Sequence, residues 1–177
     1  ADKEYGEIYI QKEIHLKQFV ENLNRQLPSG LSVTGAGEAD PGAPALSAVI
    51  DAALYQAARP NSRLAPVEQW RKAAKDLLTR SEIIVNRNHR AKKIVGQVNI
   101  RPYIYSLTVR VLPAKGATAI DMLLQVGSRG GVSPTVVLQQ LADGVRGEKE
   151  ELWRWQIHRR GLYIYGEELM SPLPEGG

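Results

Sequence analysis

Two stretches of every-other-residue alternation constrain this chain more than any other feature. Tyr103, Tyr105, Leu107, Val109 and Val111 fall on one face while Ser106, Thr108 and Arg110 fall on the other, and Ile120, Met122, Leu124 and Val126 repeat the same period. A two-residue period marks a strand whose two faces meet different surroundings. This part of the chain therefore predicts sheet with one wet side.

Helical signals sit on either side of it. Pro66 suits a first helical position, and Val67, Trp70, Ala74 and Leu77 then line one face against Glu68, Arg71, Lys72 and Lys75 on the other. Ser133-Pro134 supplies an N-cap and a first-turn proline for a second helix reaching about Leu141, which Asp143-Gly144 ends. Residues 82–87 and 92–100 are β-rich runs joined by Asn88-His89-Arg90, a polar turn, and predict a hairpin. Trp153, Trp155 and Ile157 alternate with Arg154, Gln156 and His158, and residues 162–165 add a further β-prone run. Residues 52–59 suit either helix or strand. Taken as strand, they open the order β, α, β, β, β, β, α, β, a ferredoxin-like pattern with an inserted basic β-hairpin in an α+β fold.

The opening of the chain predicts a smaller unit. Residues 7–11 alternate like a strand, Leu16, Phe19, Val20, Leu23 and Leu27 recur at helical spacing, and residues 31–34 alternate again. That reads as a partial βαβ subdomain over 1–40, whose edges and one face need partner strands. The Gly-, Ala- and Pro-rich residues 35–44 form the expected linker to the ferredoxin-like subdomain, 45–177.

Composition narrows the chemistry. The 177 residues contain no cysteine, which rules out disulfides, thiolate-ligated metals or clusters, and a cysteine nucleophile. The three histidines, His15, His89 and His158, show no metal-ligand spacing. The pairs Glu150-Glu151 and Glu167-Glu168 lie in polar stretches with nothing to raise a pKa for acid–base work. There is no Gly-x-Ser-x-Gly elbow. Ser128-Arg129-Gly130-Gly131 stands between strand and helix like a phosphate loop, but it lacks the full nucleotide-binding patterns and suits a flexible β-to-α turn better than a nucleotide cradle, with Arg129 open to a visiting phosphate of a larger ligand. No independent catalytic activity is expected. No apolar run is long enough to span a bilayer, and the polar N-terminus is unlike a signal peptide, so a cytoplasmic location without membrane partner is expected.

Net charge is +4, and it is concentrated. Between Arg80 and Arg110 seven basic residues face a single acid, Glu82, a local +6. Arg87, Arg90, Lys92 and Lys93 on the hairpin are candidate phosphate contacts beside Asn86, Asn88 and Gln97, and Arg101, Arg159 and Arg160 extend the candidate nucleic-acid-binding set. The same charges would also keep a hairpin edge from aggregating. Tyr103, Tyr105, Trp153 and Trp155 suit either stacking on bases or closing a core. His158 among its arginines suits either phosphate or solvent.

Five strings occur in order: Leu27-Pro28-Ser29-Gly30-Leu31, Asp40-Pro41-Gly42-Ala43-Pro44-Ala45-Leu46, Ile100-Arg101-Pro102-Tyr103-Ile104, Ile157-His158-Arg159-Arg160-Gly161-Leu162-Tyr163 and Ser171-Pro172-Leu173. Together they resemble the radical-SAM-linked protein family, a domain of unknown function found alone or behind radical SAM modules. The resemblance implies a non-catalytic accessory domain, here its C-terminal portion. The Ser-His-Leu-Asp and Gly-Phe-Asn-Pro stretches that usually precede it in the family do not occur in this sequence. It implies no cofactor in this chain, with an iron–sulfur cluster and S-adenosylmethionine belonging to a separate radical SAM module in cis or in trans. With the charge, the expected target is RNA or ribonucleoprotein. The alternative is a scaffold that docks proteins, with self-association through an exposed sheet edge.

Overall fold

A computed structural model describes residues 1–59, 65–89, 94–112 and 117–173. Its frame is the alternating stretch. β4 (Ile104–Leu112) and β5 (Ala117–Gln125) pair antiparallel, β5 pairs with β1 (Ala52–Arg59), β1 with β6 (Gln156–Tyr165), and β6 briefly with β7 (Leu169–Met170). The result is one curled antiparallel sheet of five strands, in the order β4-β5-β1-β6-β7. Residues 52–59 resolve as strand because β5 and β6 supply ladder partners on both sides.

α3 (Val67–Thr79) and α4 (Pro134–Ala142) pack on one sheet face and on each other. The ladder register aligns Ala57 with Ile120, Tyr55 with Met122 and Ala53 with Leu124, so every second residue of β1 and β5 meets the helices. Trp70, Leu77, Ile120, Met122, Leu124, Val137, Leu138 and Leu141 are fully buried there. Trp155 closes the layer edge-on to Trp70, with ring centroids 4.9 Å apart. The Ser133 hydroxyl accepts from Thr135 N at the start of α4, as the capping signal predicts.

The opposite face is polar where the sequence alternates. Asp121 of β5 accepts from Gln56 Nε2 of β1 at 3.0 Å and from Arg110 Nε of β4 at 2.5 Å, one carboxylate linking three strands. At the far end of β1 the buried Arg59 guanidinium meets Glu148 at 2.5 Å and Glu151 at 3.3 Å, and Glu148 also accepts from Ala65 N.

Residues 84–89 and 94–99 form β2 (Ile84–His89) and β3 (Ile94–Asn99), a two-stranded ribbon that, among the described residues, pairs with neither edge of the larger sheet. Its base is well anchored. Ile83 and Ile100 are buried, Ile100 N donates to Ile83 O, and Asn99 Oδ1 accepts from the backbone N–H of Ile83 and Arg101.

Three expectations change. Residues 7–11 and 31–34 form no strands and pair with none among the described residues. The backbone of Val33 is instead satisfied by one side chain, since Asn24 Nδ2 donates to Val33 O and Asn24 Oδ1 accepts from Val33 N. The expected βαβ opening reduces to a helix, α1 (Leu16–Asn24), with no buried residue, and a short turn of helix, α2 (Leu46–Val49). Second, residues 149–154 form a 3-10 helix that interrupts the alternation around Trp153, so β6 begins after the tryptophans and continues through residues 162–165. Third, a bulge between Ile104 and Ser106 breaks the β4 alternation, and Tyr105 leaves the face that carries Leu107 and Val109.

Candidate functional site

The candidate anion-binding residues divide into three groups. Arg87 lies in β2 opposite Gly96 of β3, while Arg90, Lys92 and Lys93 fall outside the described residues. The two strands of the ribbon are therefore described, and the turn that holds three of these four residues is not.

Arg101 is committed elsewhere. It opens the short 3-10 turn Arg101–Tyr103 that leads into β4, and its guanidinium donates through Nε and Nη2 to Leu78 O at 3.2 and 2.8 Å and through Nη1 to Ile104 O at 2.9 Å. Leu78 lies in the last turn of α3, where carbonyls lack helical partners and the dipole favours a cation. These contacts hold three of the five guanidinium N–H donors against backbone carbonyls, so within the chain Arg101 acts as a clamp on α3.

Arg159 and Arg160 sit on β6, which does not pair with the ribbon. Arg159 is ion-paired with Glu4, and Arg160 Nη1 lies 2.8 Å from Asp2. The Glu4 hydrogen bond lifts the Arg159 guanidinium above its ordinary pKa, against the opposing effect of burial. The acids from the start of the chain thus oppose these two arginines, and they form no common surface with Arg87 by strand pairing.

The aromatics also divide. Trp155 is buried in the core, whereas Trp153 is 74% exposed with the Arg154 guanidinium 4.8 Å from its ring centre. Tyr103 lies against Gly130, where an added Cβ would come within 3.1 Å of its hydroxyl. Tyr105, re-aimed by the bulge, stacks on Tyr165 with centroids 3.9 Å apart and planes 9° from parallel. β5 and β1 lie between their strands, so this contact is possible only because the sheet curls. Burial and the nearby Asp51 carboxylate push the Tyr105 hydroxyl above its usual pKa, with Arg129 opposing them.

Sequence reasoning missed the centre of this cluster. Asp51, just ahead of β1, is buried, accepts from Tyr165 N at 2.7 Å and pairs with the Arg129 guanidinium. Arg129, read as a visitor to phosphate from its glycine-rich turn, is tied to an acid that would repel one. No local pattern around Asp51 foretells this, because its partners lie 78 and 114 positions away. Gly127 and Gly130 hold positive φ in that turn, and a Cβ on Gly131 would stand 2.4 Å from Gln125 O.

His15 and His158 are exposed. Among the described residues no group of three or more His, Asp or Glu could hold a metal ion, and no helix is long and apolar enough to cross a membrane. A shallow, open concavity of about 510 Å³ is lined by Glu13, Ile14, His15, Leu16 and Glu38 beside α1. It is built from the loosely packed opening of the chain and gathers no convergent catalytic set.

No curated protein and no solved structure matches the chain. A family model described as an uncharacterized protein conserved in bacteria (DUF2344) matches residues 1–134, which take in the ribbon, β1, β4, β5 and the Asp51–Arg129 pair but stop short of β6. The chain therefore belongs to this DUF2344 family of uncharacterized bacterial proteins.

Proposed function

We propose that this chain is a non-catalytic accessory domain that docks RNA or a ribonucleoprotein on the β2–β3 ribbon and works in the cytoplasm beside a radical SAM module. Any iron–sulfur cluster and S-adenosylmethionine would belong to that module, and the association rests on the resemblance of the five sequence strings. The order β1, α3, β4, β5, α4, β6 suits a ferredoxin-like core, into which the ribbon would be inserted after α3.

One observation carries the reading. Among the described residues the ribbon's strands pair only with each other, its base is anchored in the core, and the segment joining its strands reads Arg90-Ala91-Lys92-Lys93. A short arm with a cationic tip is suited to tracking a phosphate backbone. The site is accordingly reduced to Arg87, Arg90, Lys92 and Lys93, since Arg101, Arg159 and Arg160 are engaged within the chain.

The test is the salt dependence of binding to a short single-stranded RNA, read by fluorescence anisotropy. Single strands lose affinity with a log–log slope of about −0.7 per neutralised phosphate. Replacing Arg87, Arg90, Lys92 and Lys93 by Gln should make that slope shallower by about 3 and leave thermal stability unchanged. No binding by the unmodified chain at low salt sinks the reading.

A second reading, a protein-docking scaffold, is favoured by a separate observation. Ile8, Tyr9, Ile10, Ile14 and Leu31 are exposed large hydrophobics, Tyr9 at 97%, and all lie in the first 31 residues.

A further inference from the structure

β6 is paired with β1 along one edge, but on the other edge β7 covers only Ile164 and Tyr165. Along the rest of that edge, among the described residues, one backbone bond from outside the strand is made, from Asp2 N to Arg159 O at 2.9 Å. Beside it Glu4 pairs with Arg159 and Asp2 with Arg160. The spacing has a structural origin. β1 aligns Tyr55 with Arg159 and Leu54 with Gly161, so Arg160 is the extra residue of a bulge. Two consecutive arginines are thereby presented together at a sheet edge. In an extended segment, residues two apart share a side, and Asp2 and Glu4 are two apart.

We propose that this edge of β6 is a strand-docking site for an extended acid-x-acid segment of a protein partner, with Asp2-Lys3-Glu4 as its occupant within the chain. The proposal gives a site to the protein-docking reading and rests on it. It is separate from RNA binding, which uses the ribbon.

The internal occupant is weakly held. It makes one backbone bond and two part-exposed ion pairs, and pairs of that kind contribute little. A longer acidic strand could continue the ladder over residues 156–162 and place alternate carboxylates on the arginines, the mode in which main-chain bonds give affinity and alternate side chains give specificity. A second copy of this chain is a poorer candidate. Its Asp2-Lys3-Glu4 would offer the same few contacts while competing with a tethered segment at high effective concentration.

The probe is a fluorescein-labelled heptapeptide, Val-Asp-Val-Glu-Val-Thr-Val, titrated into the full chain and read by anisotropy. Asp2→Asn with Glu4→Gln should release the occupant and tighten peptide binding by about tenfold or more. Arg160→Gln, at a half-exposed position, should keep the melting temperature and abolish binding. The peptide with Asn and Gln in place of its acids should not bind. The proposal is overturned if the released variant binds no tighter than the parent, or if the neutral peptide binds equally. It is also overturned if sedimentation shows a dimer that Asp2→Asn with Glu4→Gln dissolves, because the occupant is then a second copy. Arg87→Gln, on the ribbon and away from β6, should leave peptide affinity unchanged, so loss of the ribbon reading and loss of this one are read separately.

Discussion

Arg59 shows how far a single side chain can act in this fold. Its side chain is 4% exposed and that of its partner Glu148 5%, and the same Glu148 carboxylate accepts from Ala65 N. Removing one member of such a buried pair leaves a charge in a medium that solvates it poorly, at a cost of about 3–5 kcal/mol. Arg59→Met should therefore lower the stability read from urea unfolding by about that amount. Arg59→Met with Glu148→Met should recover part of the loss and not all, because Ala65 N is then left without its acceptor. A single variant as stable as the parent would show that the pair is dispensable. Nothing near Arg59 in sequence announces this role, and the same is true of Asp51. Both are recognised only through partners far along the chain, whereas a residue such as Trp70 is legible from its neighbours because the helical period places it on the buried face.

At the scale of elements, legibility follows the number of partners an element brings with it. β4, β5 and α3 carry strong periods over 9 to 13 residues, α4 carries start and stop signals, and all four appear where the sequence predicts them. Residues 7–11 and 31–34 carry the same period over a few residues only, and a strand that short exists only if a neighbour pairs with it. The bulge that re-aims Tyr105 could not be read because inserting one residue is a property of the pair of strands, not of either one. The pairing of the ribbon's two strands is legible in their β-rich runs, but Arg101, Arg159 and Arg160 are indistinguishable in sequence from free cations until Leu78 O, Glu4 and Asp2 are placed beside them. The turn between β5 and α4 provides a test at this scale. Gly131→Ala would push a Cβ against Gln125 O and Val126 Cα, backbone atoms that cannot rotate away, whereas Gly42 has nothing within 4 Å. Gly131→Ala should destabilise the chain by about 1–3 kcal/mol and Gly42→Ala should leave thermal unfolding unchanged. Equal melting temperatures for the two variants would remove the turn as a constraint on how α4 meets the sheet.

Across the whole molecule, burial is unevenly distributed, and the family match cuts across that division. Residues 1–134 include both α1, which has no buried residue, and the centre of the sheet, where Ala53, Ala57, Ile120, Met122 and Leu124 are fully enclosed. Local stability should follow burial. A nine-residue helix in water is below the length at which helices persist alone, about 12–15 residues, and α1 is secured chiefly by the Asn24–Val33 clasp. β1 and β5 are hydrogen-bonded on both sides, and opening them requires losing the core. Hydrogen exchange should therefore separate the two. Amides of α1 should exchange within about tenfold of unprotected rates, while those of Ala57 and Met122 should exchange only through global unfolding, a process of about 5–15 kcal/mol for a domain of ordinary stability. Protection of α1 equal to that of β1 would mean that Leu16, Phe19, Val20 and Leu23 are covered in solution. If that protection rises with concentration, the cover is another copy of the chain; if it does not, α1 packs on the sheet unit itself. Either result would replace the present account, in which α1 and the exposed hydrophobics around it form a separate, weakly held surface while the sheet, its two helices and the ribbon base form the stable unit.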